Sequence, residues 1–410
     1  MALRDYQIEL AKQGAKILSE YGIVYYAIQM RVGKSLIFLA TANLVQAKNV
    51  LVLTPKKAIE SIESDYSKFD FNFKLTVTNY EQVPKLKPVY DLIIIDECHN
   101  LSAMPKPSLR TKNIKELVGD KKLILSSGTP TPENYSQIYH QLWISDNSPF
   151  KEYKNFYKWA HDYVTVKQKL INGYHINDYS HANKEMIESK ISHLFVKYTQ
   201  KEAGFTKEVS DVIFYVPMLK GTMDLVSYLL KTRYYHAKDG SDIVADTAAK
   251  LQSKVHQMCS GTVIDEKRGI HIFDRSKIEF IKEKYRGKKI AIFYKYIAES
   301  KLIKEAFPDL FDNSADFNNA KEGVYSSQIR SGAMGVNLST ADYIVMYNID
   351  FSAVLYWQAR ERMQDLNREK ECEVHWIFSQ GGIEDKIYKA VLKKKDYTTY
   401  YFKKDFLCQS

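Results

Sequence analysis

The stretch Asp91-Leu92-Ile93-Ile94-Ile95-Asp96-Glu97-Cys98-His99 decides the fold of this chain. Four apolar, mostly β-branched residues in a row have the length and composition of a strand buried on both faces. Such a strand belongs to a parallel sheet with helices on each side. Two carboxylates follow at its carboxyl end, which in an open α/β sheet faces the ligand crevice. Asp96 suits a bound Mg²⁺ ion, and Glu97 suits a water molecule that must be oriented or deprotonated. That division of labour is what hydrolysis of a nucleoside triphosphate requires.

An anion site is written upstream. Gly33-Lys34-Ser35 stands between an aromatic and β-branched run, Val24–Ile28, and an apolar helical pattern, Leu36–Leu44. A strand, a turn and a helix N-terminus offer free N–H groups and the positive end of a helix dipole to phosphate. Gly33 lets the backbone approach closely. Lys34 is placed to hold the β- and γ-phosphates, and the Ser35 hydroxyl to ligate Mg²⁺. The complete phosphate-loop pattern has a further glycine five residues before Gly33, where this chain has Ile28. Gly33-Lys34-Ser35 alone is a common turn sequence. Paired with Asp96 and Glu97 it points to an ATP and Mg²⁺ site.

Working outward, short apolar runs recur at Val50–Leu53, Leu123–Leu125, Ile290–Phe293, Tyr343–Tyr347 and Val374–Phe378. Helical patterns lie between them; Ile278–Tyr285 precedes one strand and Ile297–Ala306 follows it. Alternating strand and helix predicts parallel sheets with helical crossovers. The strand-rich text falls in two blocks, about 20–130 and 285–380. The stretch 145–265 reads as mostly helical, with Phe150–Val164 and Met223–Tyr235 as examples. The predicted fold class is therefore α/β, with two parallel-sheet lobes and helical insertions. The first lobe is assigned to 1–207 with an insertion at about 145–200, the second to 208–410 with a helical segment at about 220–268.

The chain has 410 residues, 45% of them hydrophobic, and a net charge of +10. Ordinary globular cores are within reach, and a basic balance favours polyanionic partners. The four cysteines, Cys98, Cys259, Cys372 and Cys408, show no zinc spacing and read as reduced thiols. Met1-Ala2-Leu3-Arg4-Asp5 lacks the apolar core of a signal peptide, and no apolar run reaches membrane-spanning length. The expectation is a soluble cytoplasmic monomer without a membrane partner. The basic, aromatic tail from Lys393 to Lys404 reads as a solvated helix end or a nucleic-acid strip.

Asp96-Glu97-Cys98-His99 resembles the DExH box of superfamily 2 helicases. The chain is similar, over nearly its whole length, to the double-stranded DNA translocases of the chromatin-remodeller branch and their compact bacterial and phage relatives. That resemblance implies RecA-like lobes, and a cytoplasm that is bacterial or that of a phage-infected cell. Leu3-Arg4-Asp5-Tyr6-Gln7 resembles the Q motif, which implies that Gln7 reads adenine. Met30-Arg31-Val32-Gly33-Lys34-Ser35 resembles motif I, with Arg31 beside the nucleotide where remodellers have glycine. Val50–Pro55 is similar to motif Ia, Thr78-Asn79-Tyr80-Glu81 to the next DNA-contact segment, and Leu125–Pro130 to motif III, which links ATP state to DNA grip.

In the second lobe, Ile290–Tyr294 resembles motif IV, Ser331–Leu338 motif V and Gln358-Ala359-Arg360-Glu361-Arg362 motif VI. The resemblance implies catalytic roles for Lys34, Asp96, Glu97, Gln358 and Arg362, and a nucleotide contact at Gly335. It implies nucleic-acid contacts at Thr54, Pro55, Asn79, Tyr80, Ser127, Thr129, Tyr294 and Asn337. Arg362 takes the part of an arginine finger. Where the family has a second arginine, this chain has Asp365, with Arg360 and Arg368 as candidate substitutes. The implied partner is DNA, double-stranded in preference. Two alternatives stay open: a strand-separating helicase on DNA or RNA, and a DNA clamp that uses ATP only as a switch.

Overall fold

The computed structural model describes residues 3–87, 89–171, 174–237, 239–332, 336–365, 368 and 370–393. The chain divides into two units, Met1–Phe205 and Thr206–Ser410.

Strands of the first unit are β1 (Ile23–Ile28), β2 (Asn49–Leu53), β3 (Lys74–Thr78), β4 (Leu92–Asp96), β5 (Lys122–Ser126), β6 (Lys167–Ile171), β7 (Tyr174–Asp178) and β8 (Phe195–Tyr198). Six of them form one sheet in the order β3-β2-β4-β5-β1-β8, and every pairing in it is parallel. Alternate residues point to opposite faces, so each strand feeds two cores. Tyr25, Leu53, Ile93, Ile95 and Leu125 pack on one side; Val24, Tyr26, Val52, Ile94 and Ile124 pack on the other. Burial on both faces explains the unbroken apolar run of β4, whose five residues are all buried. Helix α1 (Asp5–Tyr21) packs on α2 (Lys34–Leu44) over one face.

The second unit holds β9 (Val209–Val216), β10 (Tyr234–His236), β11 (Asp242–Val244), β12 (Thr262–Ile264), β13 (Ile270–Ile272), β14 (Lys289–Tyr294), β15 (Leu310–Phe311), β16 (Gly323–Gln328), β17 (Tyr343–Met346) and β18 (Cys372–Ser379). Its main sheet runs β15-β16-β14-β17-β18-β9, again wholly parallel. A fully buried ion pair, Lys277 Nζ to Glu384 Oε1 at 2.5 Å, joins the helix Ser276–Lys284 to the helix Glu384–Leu392.

The helical reading of 145–265 needs correction. Helices do cover Phe156–Tyr163, Lys184–Ile191, Lys220–Thr232 and Ala248–Cys259. Between them, however, β6 and β7 form an antiparallel hairpin, and β8 and β9 each complete the edge of a main sheet. The signals were present: Val-Ile-Phe-Tyr-Val at 212–216 is a buried-strand run, and Asn172-Gly173 is a hairpin dipeptide. Among the described residues, no helix is long and apolar enough to cross a membrane.

Candidate nucleotide site

Register brings the site together. Asp96 pairs with Ser126, Ser126 with Tyr26, and Leu53 with Ile95. The carboxyl ends of β1, β2, β4 and β5 therefore lie side by side, and the segments that leave them carry Gly33, Thr54, Glu97 and Ser127.

The phosphate loop is a strained turn at the start of α2. Gly33 has φ +85° and Arg31 φ +68°, both left-handed. Arg31 thus adopts a backbone that suits glycine, which accounts for the residue type the family has there. Gln7 lies against the loop from α1: its Nε2 is 3.5 Å from the Val32 carbonyl, and Tyr6 donates its hydroxyl to the same oxygen at 3.0 Å. Ser35 is half-buried in the first turn of α2.

Lys34 Nζ is 3.3 Å from Glu97 Oε1, and Glu97 Oε2 is 3.2 Å from His99 Nδ1. His99 Nδ1 in turn lies 2.9 Å from Ser127 Oγ. A line of polar side chains thus joins the phosphate loop, the DExH carboxylate and the segment after β5. Glu97 holds φ +52°, a conformation rare for a non-glycine residue and of the sort found at functional sites. Asp96 is buried and accepts from the Thr54 hydroxyl at 2.9 Å. Burial first, and the neighbouring Glu97 second, push its carboxyl up to about 6, against the pull of Lys34 and Thr54. A carboxylate so raised is one that a cation stabilises strongly. This fits a divalent metal with Ser35 as the second ligand.

The residues expected at nucleic acid divide into two groups. Pro55, Asn79, Thr129 and Tyr294 are partly exposed, and Asn337 is exposed. Thr54, Tyr80 and Ser127 are buried. Thr54 is committed to Asp96, Ser127 to His99, and Tyr80 donates its hydroxyl to the Asp96 carbonyl beneath the Arg110 guanidinium. They hold the site from behind.

In the second unit, Gln358 is buried on the helix Ala353–Arg360, and Arg362 is nearly so on the turn that follows. The Leu338 N–H donates to the Arg362 carbonyl at 3.2 Å, tying motif V to motif VI. Gly335 lies outside the described residues. Arg360 donates to Asp211 at 2.9 Å, and Arg368 to the Ser339 and Glu371 carbonyls. Both are structural ties, so neither replaces the missing motif VI arginine.

Sequence reasoning missed Tyr25 and Gln141, and treated Cys98 only as a reduced thiol. These three form a buried cluster behind Glu97. Nothing local marks them, since Tyr25 and Gln141 are 116 positions apart.

A strained phosphate loop facing an acid pair across parallel strands places the chain in the class of α/β proteins with a phosphate-loop nucleotide site. Within that class, the chain belongs to the SNF2-related family, whose SNF2-related domain model matches residues 21–260. It is 27% identical over 172 residues to the chromatin-remodeling ATPase INO80 of Aspergillus terreus, covering 41% of this chain and 10% of that protein. It is 20% identical over 377 residues to the ISWI chromatin-remodeling complex ATPase ISW1 of Saccharomyces cerevisiae, covering 79% of this chain and 31% of that one. The chain thus spans a tenth to a third of the length of these two relatives. The Sulfolobus solfataricus SWI2/SNF2 ATPase core domain is a structural neighbour at 16% identity and TM-score 0.44, over 96% of this chain and 88% of that one.

Proposed function

We propose that this chain hydrolyses ATP to translocate on double-stranded DNA. The observation that carries the reading is the line Lys34–Glu97–His99–Ser127, at 3.3, 3.2 and 2.9 Å. It connects the group that holds the γ-phosphate to the segment that follows β5, which by family resemblance grips DNA. Lys34 and the N–H groups of α2 bind the triphosphate. Gln7, fixed against Val32, reads the adenine edge. Glu97 orients the attacking water and takes its proton. Ser35 and Asp96 would hold Mg²⁺, which would supply positive charge to the phosphates. By family resemblance, Arg362 takes the part of an arginine finger. The turns at Pro55–Lys57 and Asn79 hold the DNA backbone. Contacts of this kind carry little sequence preference.

A second reading, strand separation, has one observation in its favour. The β6–β7 hairpin is a ribbon on which Gln168, Ile176 and Asn177 are exposed, the shape a wedge needs. A forked substrate distinguishes it from translocation alone.

The test is steady-state ATPase activity with double-stranded, single-stranded and forked DNA and with RNA. Duplex DNA is expected to stimulate most, with apparent affinity falling steeply as salt rises. Stimulation by RNA alone overturns the proposal.

A further inference from the structure

Gln141 is fully buried on the helix Ile138–Trp143, beside the apolar side chains Ile138, Tyr139 and Leu142. A leucine would fill a similar volume there, yet the chain places an amide. Its Oε1 accepts from the Tyr25 hydroxyl at 2.6 Å and from the Cys98 thiol at 3.3 Å. Its Nε2 donates to the Pro130 carbonyl at 2.7 Å and to Ser102 Oγ at 2.8 Å, and lies 3.0 Å from the Gln137 carbonyl. Carbonyl oxygens only accept, so Nε2 must be the atom that faces Pro130 and Gln137, and the amide can point only one way.

The partners of this amide sit on two segments that matter. Cys98 and Ser102 bracket the turn Cys98–Leu101 directly after Glu97. Pro130 closes the segment Ser127–Pro130 that leaves β5. The link from Glu97 through His99 to Ser127 runs through a histidine and a hydroxyl that both change partners easily. The link through Gln141 is buried and made of neutral amide bonds. Breaking it leaves the Pro130 carbonyl and the Ser102 hydroxyl without that donor, which is costly for buried polar groups. Two segments joined this way move together.

We infer that Gln141 is a positioning residue: it makes any shift of Ser127–Pro130 caused by nucleic acid displace the turn that carries Glu97, and so couples DNA binding to hydrolysis. The inference rests on the translocase reading and assigns the coupling to one side chain.

The experiment uses the full chain and three variants: Gln141→Met, Gln141→Asn and Tyr25→Phe. ATP turnover and KM are measured with and without duplex DNA, alongside thermal melting. Gln141→Met keeps the basal turnover and the KM for ATP within about twofold, the sign that the chemistry is intact. Its stimulation by DNA falls about fivefold or more, within the range of site-to-site coupling. Gln141→Asn, whose shorter amide cannot span both segments, gives the same loss and serves if the methionine variant melts early. Tyr25→Phe removes one donor, leaves the Pro130 bond in place and keeps the wild-type stimulation ratio.

Stimulation of the wild type together with an unchanged ratio in both Gln141 variants overturns the inference alone. So does a parallel fall of basal and stimulated rates, which marks a purely structural amide. Absence of stimulation in the wild type by any nucleic acid overturns the translocase reading and the inference together.

Discussion

A Cβ placed on Gly33 would lie 2.3 Å from Nε2 of Gln7. The phosphate-loop glycine and the glutamine of α1 therefore share one small volume, and neither position is independent of the other. Gly33→Ala must push the Gln7 amide off Val32 as well as strain a backbone at φ +85°. The expected result is a raised KM for ATP in Gly33→Ala, a smaller rise in Gln7→Ala, and a double variant better than the sum. The coupling energy from the cycle should be on the order of 1 kcal/mol. Strict additivity would show that the two side chains do not meet in solution.

Under the proposed function Glu97 handles the attacking water; it touches Lys34 and His99, while Thr54 is bonded to Asp96. Glu97→Gln should bind ATP with near-normal affinity and hydrolyse it about 10²–10⁴ times more slowly. A single-turnover measurement beside a nucleotide-binding titration checks both halves. Retention of more than about a tenth of the wild-type rate is incompatible with the assigned role.

Under the proposed function Arg362 is the motif VI finger, while Arg360 is held by Asp211 and Arg368 by backbone carbonyls. Arg362→Ala should lower turnover on DNA by about 10³–10⁵. DNA affinity in the absence of ATP should stay near wild type, which a separate binding titration verifies. Asp365→Arg should raise turnover or leave it unchanged; a large loss would give Asp365 a role of its own.

His140 sits among the rings of Tyr139, Trp143 and Phe156. Burial pushes its imidazole down to about 4, against a hydrogen bond from the ring to the Ala103 backbone that raises it. The native state thus favours the neutral ring, while the unfolded chain takes up a proton at about 6.5. The stability this contributes is present above pH 6.5 or so and is lost as pH falls toward 4, by up to about 3 kcal/mol. Denaturant unfolding at pH 7 and pH 5 should show a drop that His140→Phe reduces, the rest coming from the buried His256 and His375, which burial also holds below the ordinary imidazole value. An equal drop in both proteins assigns the acid sensitivity elsewhere.

The buried pair Lys277–Glu384 gives a prediction for the second unit. Lys277→Met leaves Glu384 charged in the interior and should destabilise by about 3–5 kcal/mol. The double variant Lys277→Met/Glu384→Gln should recover much of that loss, as read from unfolding midpoints. No recovery would mean that the cost comes from packing around the lysine stem.

The parts of this molecule legible in its sequence are those written in consecutive residues. Leu92–Glu97 spells a buried parallel strand and the acids at its end. Gly33-Lys34-Ser35 spells a turn and a helix start. Both survive translation into three dimensions because a strand end and the loop after it are fixed by local geometry. Tyr80 shows where that stops: it stands in a segment that resembles a DNA contact, yet its ring is buried and its hydroxyl serves the Asp96 carbonyl. Whether a tyrosine faces solvent depends on what packs over it, here Arg110 from 30 positions downstream. Gln141 and Tyr25 were invisible for the same reason. The edge strands β8 and β9 were passed over differently, because they stand in text dominated by helical spacing. Arg31 was legible as a departure from the family but not as a left-handed residue, since sequence carries no φ.

The central claim is movement along intact duplex driven by ATP, and displacement of a third strand from a DNA triplex measures it most directly. The account predicts that the wild-type chain releases the third strand in an ATP-dependent manner while the underlying duplex stays paired, and that Glu97→Gln does not. No release by the wild type, under conditions where duplex DNA stimulates its ATPase, would contradict translocation and leave an ATP-switched clamp.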